Sequence, residues 1–330
     1  MGILGRLLAG LRGSTDDQPA RGERQTAGER PVSNRPTTEH ASRGGGGTVS
    51  ELVAALDDGT TVEPAHVQRL VDRAETTPGE FDNHVPQLVA ILRERDGLNA
   101  LAAGATVAAL ADSNRALVAR HAEALVAALQ EDSVDDEEGV ASEFATDALS
   151  TLARSGQVPT DELADVVTQG PPHAQRGAAS VLAVVAATTP GTLPLDRLAG
   201  IYEGDDTVAR AGAAYVLTVV SAEQSAGGAG PAPTADGLVD LAATLRRGDV
   251  DGFVTAALTR EAIEIVVEET TGVALSSLEV ASTPMGVQLV LRPAGEPDEL
   301  LGEASLDELS DVLAERLGLD DPQIDVQEAK

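Results

Sequence analysis

Five histidines are the side chains best suited to general acid–base chemistry or metal binding near neutral pH. They stand singly along the chain, as His40, His66, His84, His121 and His173. A helical metal site needs two ligands on one face, as in a His-x-x-x-His pair, and the sequence contains no such spacing. We therefore predict that these histidines are satisfied or exposed surface residues. No residue is predicted to be catalytic, to bind a cofactor or to bind a metal.

Carboxylates are the second group that could do chemistry, and their densest cluster lies in the segment 131–138. Its members are Asp132, Asp135, Asp136, Glu137 and Glu138. Such a cluster could hold a divalent cation weakly, but the central glycine and closing glutamate of a calcium-binding loop are missing. The favoured interpretation is a solvated acidic loop.

Two glycine-rich stretches, Gly44–Gly47 and Gly227–Gly230, have the composition of loops that can bind phosphate. Neither carries the Lys-Ser/Thr pair of a P-loop, and the second is followed by proline. The chain also contains no Gly-x-Ser-x-Gly nucleophile elbow, which excludes an α/β-hydrolase. Both stretches are interpreted as linkers.

Charge and composition limit the class of protein. The chain has 330 residues and a net charge of −31, and Lys330 is its single lysine among 23 basic residues. A dense carboxylate surface with almost no lysine is typical of a cytoplasmic protein from an extreme halophile, because molar salt screens its self-repulsion. An acidic mesophilic protein is the alternative. Cysteine is absent, so no disulfide or thiolate metal site is expected.

The chain divides into five segments by composition. Residues 1–13 place five aliphatic side chains on one face of a short amphipathic helix, and residues 14–47 are predicted to be disordered. Helical periodicity runs through 48–223, a Gly/Pro-rich linker occupies 224–236, and 237–330 forms a small α+β domain. The aromatic content of 2% requires a core of alanine, valine and leucine, which suits closely packed helices.

The same patterns predict individual elements. Helical periodicity predicts one helix at 114–130. Alternation at 277–283 and 287–292, on either side of Pro284-Met285-Gly286, predicts a β-hairpin, and residues 323–327 are expected to supply one more strand.

One phrase recurs within the helical segment. Asp205–Leu217 and His173–Leu182 both combine small residues with an aliphatic run, and each follows another amphipathic helix. Small residues such as Gly177 and Gly212 let helix axes approach closely, while rows containing Leu182 and Leu217 fill the layer between helices. A helix pair of this kind cannot bury its apolar face alone, so neighbouring pairs must stack.

These phrases resemble HEAT repeats. The family pattern has an aspartate before the second helix, then a valine, an arginine, paired small residues and a leucine, and here it matches Asp206, Val208, Arg210, Ala213, Ala214 and Leu217. The match at Arg176, Ala178 and Ala179 is partial. The resemblance implies a mainly α fold, an α-solenoid of HEAT-like helix pairs over about residues 50–222. It also implies that Arg210 braces adjacent repeats, with anion binding as the alternative.

The resulting functional prediction is a non-enzymatic adaptor that binds a protein partner on the concave face of the solenoid. No nucleic acid is expected, because arginine is sparse and aromatic residues are nearly absent. One alternative is a HEAT-like lyase or enzyme-associated factor for a small substrate. Another is a peripheral membrane assembly factor in which residues 1–13 contact the membrane or a partner. The predicted location is cytoplasmic, with peripheral membrane association left open, and the C-terminal domain either caps the solenoid or binds its own partner.

Overall fold

A computed structural model of the chain describes residues 47–58, 62–95, 97–131, 140–224, 233–248, 250, 252–283, 286–295, 306–320 and 322–328. The predicted helix at 1–13, His40, and all of the tail at 14–47 except Gly47 lie outside these residues. So do the cluster Asp132–Glu138 and residues 225–232 of the predicted linker.

The described residues are mainly helical, with one small sheet, which confirms the predicted fold class at that level. The α-helices are α1 (Val49–Asp57), α2 (Pro64–Thr76), α3 (Val85–Glu94), α4 (Gly97–Ser113), α5 (Arg115–Ala119), α6 (Ala122–Ala128), α7 (Val140–Ala153), α8 (Thr160–Gln169), α9 (Pro172–Thr188), α10 (Leu195–Tyr202), α11 (Thr207–Gln224), α12 (Ala235–Arg247), α13 (Phe253–Thr271) and α14 (Leu306–Leu317). The strands are β1 (Leu275–Thr283), β2 (Gly286–Pro293) and β3 (Gln323–Val326).

Local sequence signals account for several helix ends. Thr48 begins α1 with a capping box, because its hydroxyl accepts from the Glu51 amide while the Glu51 carboxylate accepts from the Thr48 amide at 2.8 Å. Pro172 begins α9. Its missing amide hydrogen costs no hydrogen bond there, because the first amides of a helix have no acceptor within the helix. Gly272 ends α13 in the left-handed conformation, with φ of 70°.

The helices before residue 225 pack in two rows. Five longer helices, α2, α4, α7, α9 and α11, contact one another in that order, and we call them the long-helix row. The shorter helices α1, α3, α6, α8 and α10 contact one another in the same way, and each packs on the longer helix that follows it. Leu182 and Leu217 are 0% and 1% exposed in the core between these helices, so the predicted aliphatic rows do face inward.

A glycine lies at each of three successive contacts in the long-helix row. A Cβ at Gly104 would lie 2.5 Å from Cγ of Phe144, one at Gly177 would lie 2.7 Å from Oγ1 of Thr146, and one at Gly212 would lie 3.0 Å from Cβ of Ala179. Carbon atoms cannot approach that closely without moving a neighbour. The predicted close approach at Gly177 and Gly212 is confirmed.

The C-terminal helices and the sheet form a second core that adjoins the first. In the sheet, β1 pairs antiparallel with β2, and β2 pairs parallel with β3. Helices α13 and α14 cover one sheet face around Leu289 and Leu291. Helix α12 contributes to both cores, since Leu238 belongs to the first and Val239 to the second. The C-terminal unit therefore packs directly against the end of the helix rows.

Candidate functional site

The side chains singled out from the sequence are spread over the fold. His84 Nε2 lies 3.0 Å from the Ser50 hydroxyl, and Nδ1 of His66 is buried without a hydrogen-bond partner among the described residues. Within the described part of the chain, no group of three or more His, Asp or Glu side chains is placed to hold a metal ion. The four histidines of the described residues, His66, His84, His121 and His173, are therefore not brought together with carboxylates into a metal site.

Arg210 forms a hydrogen bond within one helix pair, whereas the resemblance to HEAT repeats implies a brace between adjacent repeats. Its Nε donates to the carbonyl oxygen of Tyr202 at 3.1 Å, so it secures the end of α10 to α11 within one helix pair. Asp206 caps α11, because its Oδ1 accepts from the Ala209 amide at 2.9 Å. Asp206 and Arg210 thus both stabilise the turn between α10 and α11.

Polar side chains connect α4 and α7 on the long-helix row. The Thr151 hydroxyl donates to Oδ1 of Asp112 at 3.4 Å, and Arg154 Nη1 donates to the same hydroxyl at 3.4 Å. Asp147 is half-buried beside them. Burial raises the pKa of the Asp147 carboxyl, and the negative charge of Asp112 raises it further, while Arg154 partly opposes both effects. The arrangement disfavours the charged form of Asp147 in the folded state.

Replacing Asp147 with asparagine is expected to stabilise the protein near neutral pH. Because folding raises the pKa above its ordinary value of 3.8, the native state keeps, at pH values between the unfolded and native pKa, a proton that the unfolded chain has lost. The stability of the wild-type protein therefore falls as pH rises from 3.8 through the native pKa. In urea unfolding, Asp147→Asn should have a larger free energy of unfolding than the wild-type protein near neutral pH. This difference should disappear below pH 3.8, the ordinary pKa of an aspartate.

The matched control for that change is Asp240→Asn, at an exposed position of α12. The free energy of unfolding of this variant should lie within about 0.5 kcal/mol of the wild-type value, because the side chain is exposed. An Asp147→Asn protein that is less stable than the wild type near neutral pH would contradict the described environment of this carboxyl.

An exposed aromatic cluster stands at the end of the long-helix row. Phe253 at the start of α13 is 66% exposed, and its ring meets that of Tyr215 on α11 edge to face, with centroids 5.7 Å apart. The Arg176 side chain of α9 lies across Gly252, whose Cβ would be 3.0 Å from Cδ of Arg176. We call Arg176, Tyr215 and Phe253 the aromatic patch. Sequence reasoning did not single out Tyr215 or Phe253, because the two residues are far apart in the chain.

Two open cavities lie near the same end of the fold. The first, of about 460 Å³, is bordered by Arg197, Asp205 and Asp206, but Arg197 is engaged in an ion pair with Asp165 and Asp206 caps a helix. The second, of about 350 Å³, lies between α11, α12 and α13. Neither is an enclosed pocket with several convergent catalytic groups. No helix among the described residues has the length and apolar character needed to cross a membrane.

Comparison with known proteins gives a partial likeness only. No protein-family model matches the chain. Over 83 residues it is 39% identical to small ribosomal subunit protein uS3 of Natronomonas pharaonis, and over 81 residues 38% identical to uS3 of Halobacterium salinarum. Each match covers 24% of this chain, and the chain spans about a quarter of the length of these relatives, at 27% and 26%.

Proposed function

We propose that the protein is a non-enzymatic adaptor built on a HEAT-like α-solenoid. The observation that carries this proposal is the two-row packing, in which each helix pair contacts its neighbours in chain order. Stacked helix pairs of this kind form an extended surface suited to binding another protein. The long-helix row corresponds to the second helices of the pairs.

Hydrogen bonds between successive long helices repeat in a way that supports stacked units. Near the ends of α4, α7 and α9, hydroxyl groups donate back to the preceding long helix. Ser113 bonds to the Ala74 carbonyl at 2.7 Å, Thr151 to Asp112 at 3.4 Å, and Thr188 to the Ala153 carbonyl at 3.3 Å. The bonded residues are 39, 39 and 35 positions apart, close to one helix pair in each case.

The aromatic patch is the best-supported contact point for a partner. Binding energy at protein interfaces concentrates in tyrosine, tryptophan and arginine side chains, with other aromatic residues also enriched there. Exposed aromatic surface is scarce in this chain, because Phe81 and Phe144 are buried. Phe253 therefore stands out against an otherwise acidic surface, and it continues the long-helix row beyond α11.

The test compares two charge-introducing variants. Phe253→Asp should weaken binding of a protein partner at least about tenfold without unfolding the chain, because the ring is largely exposed. Val280→Asp is the matched control, since Val280 is the other exposed large hydrophobic residue of the described chain, 43% exposed on β1. Partners captured from a haloarchaeal lysate in molar KCl would be purified and titrated against both variants. An equal loss of partner affinity in both variants, or no loss of affinity in Phe253→Asp, would contradict the proposal.

Contact with the small ribosomal subunit is a second candidate, which the likeness to uS3 supports. If it holds, proteins of that subunit should be recovered in the same capture. The chain carries a net charge of −31, so binding to an RNA backbone has no electrostatic support. A protein surface of the subunit is the more suitable contact.

The other interpretations have less support. A lyase-like function would favour an enclosed pocket, whereas both cavities are open to solvent. A membrane contact depends on residues 1–13, which lie outside the described residues. The halophilic interpretation rests on the charge of −31 and on the haloarchaeal source of the proteins that share sequence with the chain.

A further inference from the structure

Strand β1 forms an edge of the sheet. The strand order is β1-β2-β3, so β1 has a hydrogen-bonded neighbour among the described strands on one side only. The described elements that pack substantially on β1 are β2 and α13, and α13 lies over the face that contains Leu278. A sheet edge of this kind presents a row of backbone groups to which another strand can bind.

The direction of these backbone groups follows from the bonds that β2 makes on its other side. The Val287 amide donates to the Asp320 carbonyl at 3.4 Å, and the Leu291 carbonyl accepts from the Gln327 amide at 3.0 Å. Successive residues of a strand direct their backbone groups to opposite sides. The odd-numbered residues of β2 therefore bond toward β3, and its even-numbered residues bond toward β1.

The same alternation shows which residues of β1 face the free edge. Glu279 lies opposite Val290, an even-numbered residue of β2, so these two residues bond to each other. Leu278 and Val280, on either side of Glu279, consequently direct their N–H and C=O groups away from β2. These groups point to the side on which the described chain places no strand.

This edge lacks the features by which soluble proteins usually prevent strand pairing, such as lysine, proline, short length or a charge on the inner face. Strand β1 has nine residues with neither lysine nor proline, and the irregularity in its register lies at its beginning. Its single charge, on Glu279, lies on the face away from the helices and is bound by Arg292 at 2.6 Å. On the helix-covered face, Val280 is 43% exposed, although Leu289 opposite it is buried. A strand added at this edge would cover that valine.

We propose that β1 pairs antiparallel with β1 of a second copy of this chain, around a two-fold axis at Val280. Most soluble homo-oligomers use such an interface, in which one surface complements itself. With Val280 opposite its own copy, the two exposed valines cover each other, and Glu279 faces Ala281 of the second copy. An axis at Glu279 would instead place two carboxylates directly opposite each other, which destabilises a strand pair. The result is one continuous sheet with three strands from each copy.

The pairing is expected to be reversible, because one strand from each copy gives an interface at the small end of the range for protein complexes. Molar KCl favours it by screening the net charge of −31 on each copy. The inference is independent of the proposed adaptor function, since it involves neither the aromatic patch nor the long-helix row. Val280→Asp should therefore lose self-association and keep its affinity for a partner that binds at Phe253.

Cysteine cross-linking of the full-length protein tests both the pairing and its register, because the chain contains no cysteine. Under mild oxidation in molar KCl, Val280→Cys should form an intermolecular disulfide. Directly opposite residues in a hydrogen-bonded antiparallel pair have Cα atoms about 5.5 Å apart, a separation that a disulfide can span. Ala281→Cys is the matched control, since it is also exposed but its two copies would be more than about 7 Å apart. It should cross-link at least about tenfold more slowly, by random collision alone.

Sedimentation velocity provides a second measurement. The wild-type protein should form a dimer whose share rises with protein concentration. Val280→Pro should remain monomeric, because proline removes an amide that faces the free edge and leaves the bonds to β2 intact. Circular dichroism checks that this variant is folded, and the cysteine pair decides the question if it is not. A wild-type protein that stays monomeric, as it would if another segment of its own chain covered the edge, would overturn the proposal. So would equal cross-linking of the two cysteine variants, or faster cross-linking of Ala281→Cys.

Discussion

Replacement of Gly104 with alanine should destabilise the protein by at least about 2 kcal/mol, although alanine favours helices over glycine by about 1 kcal/mol. The added carbon would lie 2.5 Å from Cγ and Cδ2 of Phe144 and 2.8 Å from its Cβ. Phe144 is buried at the contact between α4 and α7, so its ring cannot swing into solvent. The two helices must then move apart, and leucine at this position should prevent folding.

The matched control is Gly200→Ala on α10. Gly200 is an exposed helical glycine, and apart from its chain neighbours and the backbone of its own helix no atom lies within 4 Å of the position its Cβ would take. This change should stabilise the protein by up to about 1 kcal/mol through helix propensity. Urea unfolding of both variants in the same molar KCl provides the measurement. A Gly104→Ala protein as stable as Gly200→Ala would contradict the close approach of α4 and α7.

Transfer of the protein from molar KCl to dilute buffer is expected to unfold it. The screening length rises from about 3 Å at 1 M salt to about 30 Å at 0.01 M, so carboxylates over the whole surface begin to repel one another. The net charge of −31 is spread over 330 residues, and ion pairs such as Arg93–Glu131 and Arg316–Asp236 are substantially exposed. Exposed pairs contribute only about 0–1 kcal/mol each, too little to offset this repulsion.

The stability lost on dilution should equal the whole free energy of unfolding, which is on the order of 5–15 kcal/mol for a domain. Far-ultraviolet circular dichroism over a KCl dilution series would record the loss of helix. Sucrose at matched osmolality is the control, since it favours compact states by exclusion from the surface but screens no charge. Full helical signal in dilute buffer, or equal rescue by sucrose and KCl, would show that charge screening does not maintain the fold.

The positions of the helices were largely predictable, because periodicity and end signals act within a few residues. The predicted helix at 114–130 is an informative exception. His121 leaves the helical conformation, and the segment divides into α5 and α6. Helix α5 packs on α4 and α7, whereas α6 packs on α3, α7 and α8. A single continuous helix could not bury both Leu117 and Leu125 against these different neighbours. The periodicity of a short stretch of sequence carries no information about that requirement.

The sheet likewise has one part that local sequence predicts and one part that depends on the whole fold. The hairpin at 277–283 and 287–292 was predicted from alternation and is present as β1 and β2, with β1 beginning two residues earlier. The strand at 323–327 was also expected, but its partner was not. It lies parallel to β2, with Ile324 opposite Leu289. Parallel pairing depends on how the intervening chain returns to the same edge, which is a property of the whole unit.

The sequence by itself determined the helical character, the alanine, valine and leucine core, the close approach at Gly177 and Gly212, and the acidic surface. Each depends on residue type or on spacing within one helix pair. Only the tertiary structure decided that Tyr215 meets Phe253, that Asp147 is half-buried beside Asp112, and that Thr218 and Glu261 line one cavity. Those groups are brought together by packing between helices distant in the chain, and desolvation of a carboxylate exists only once that packing has excluded water.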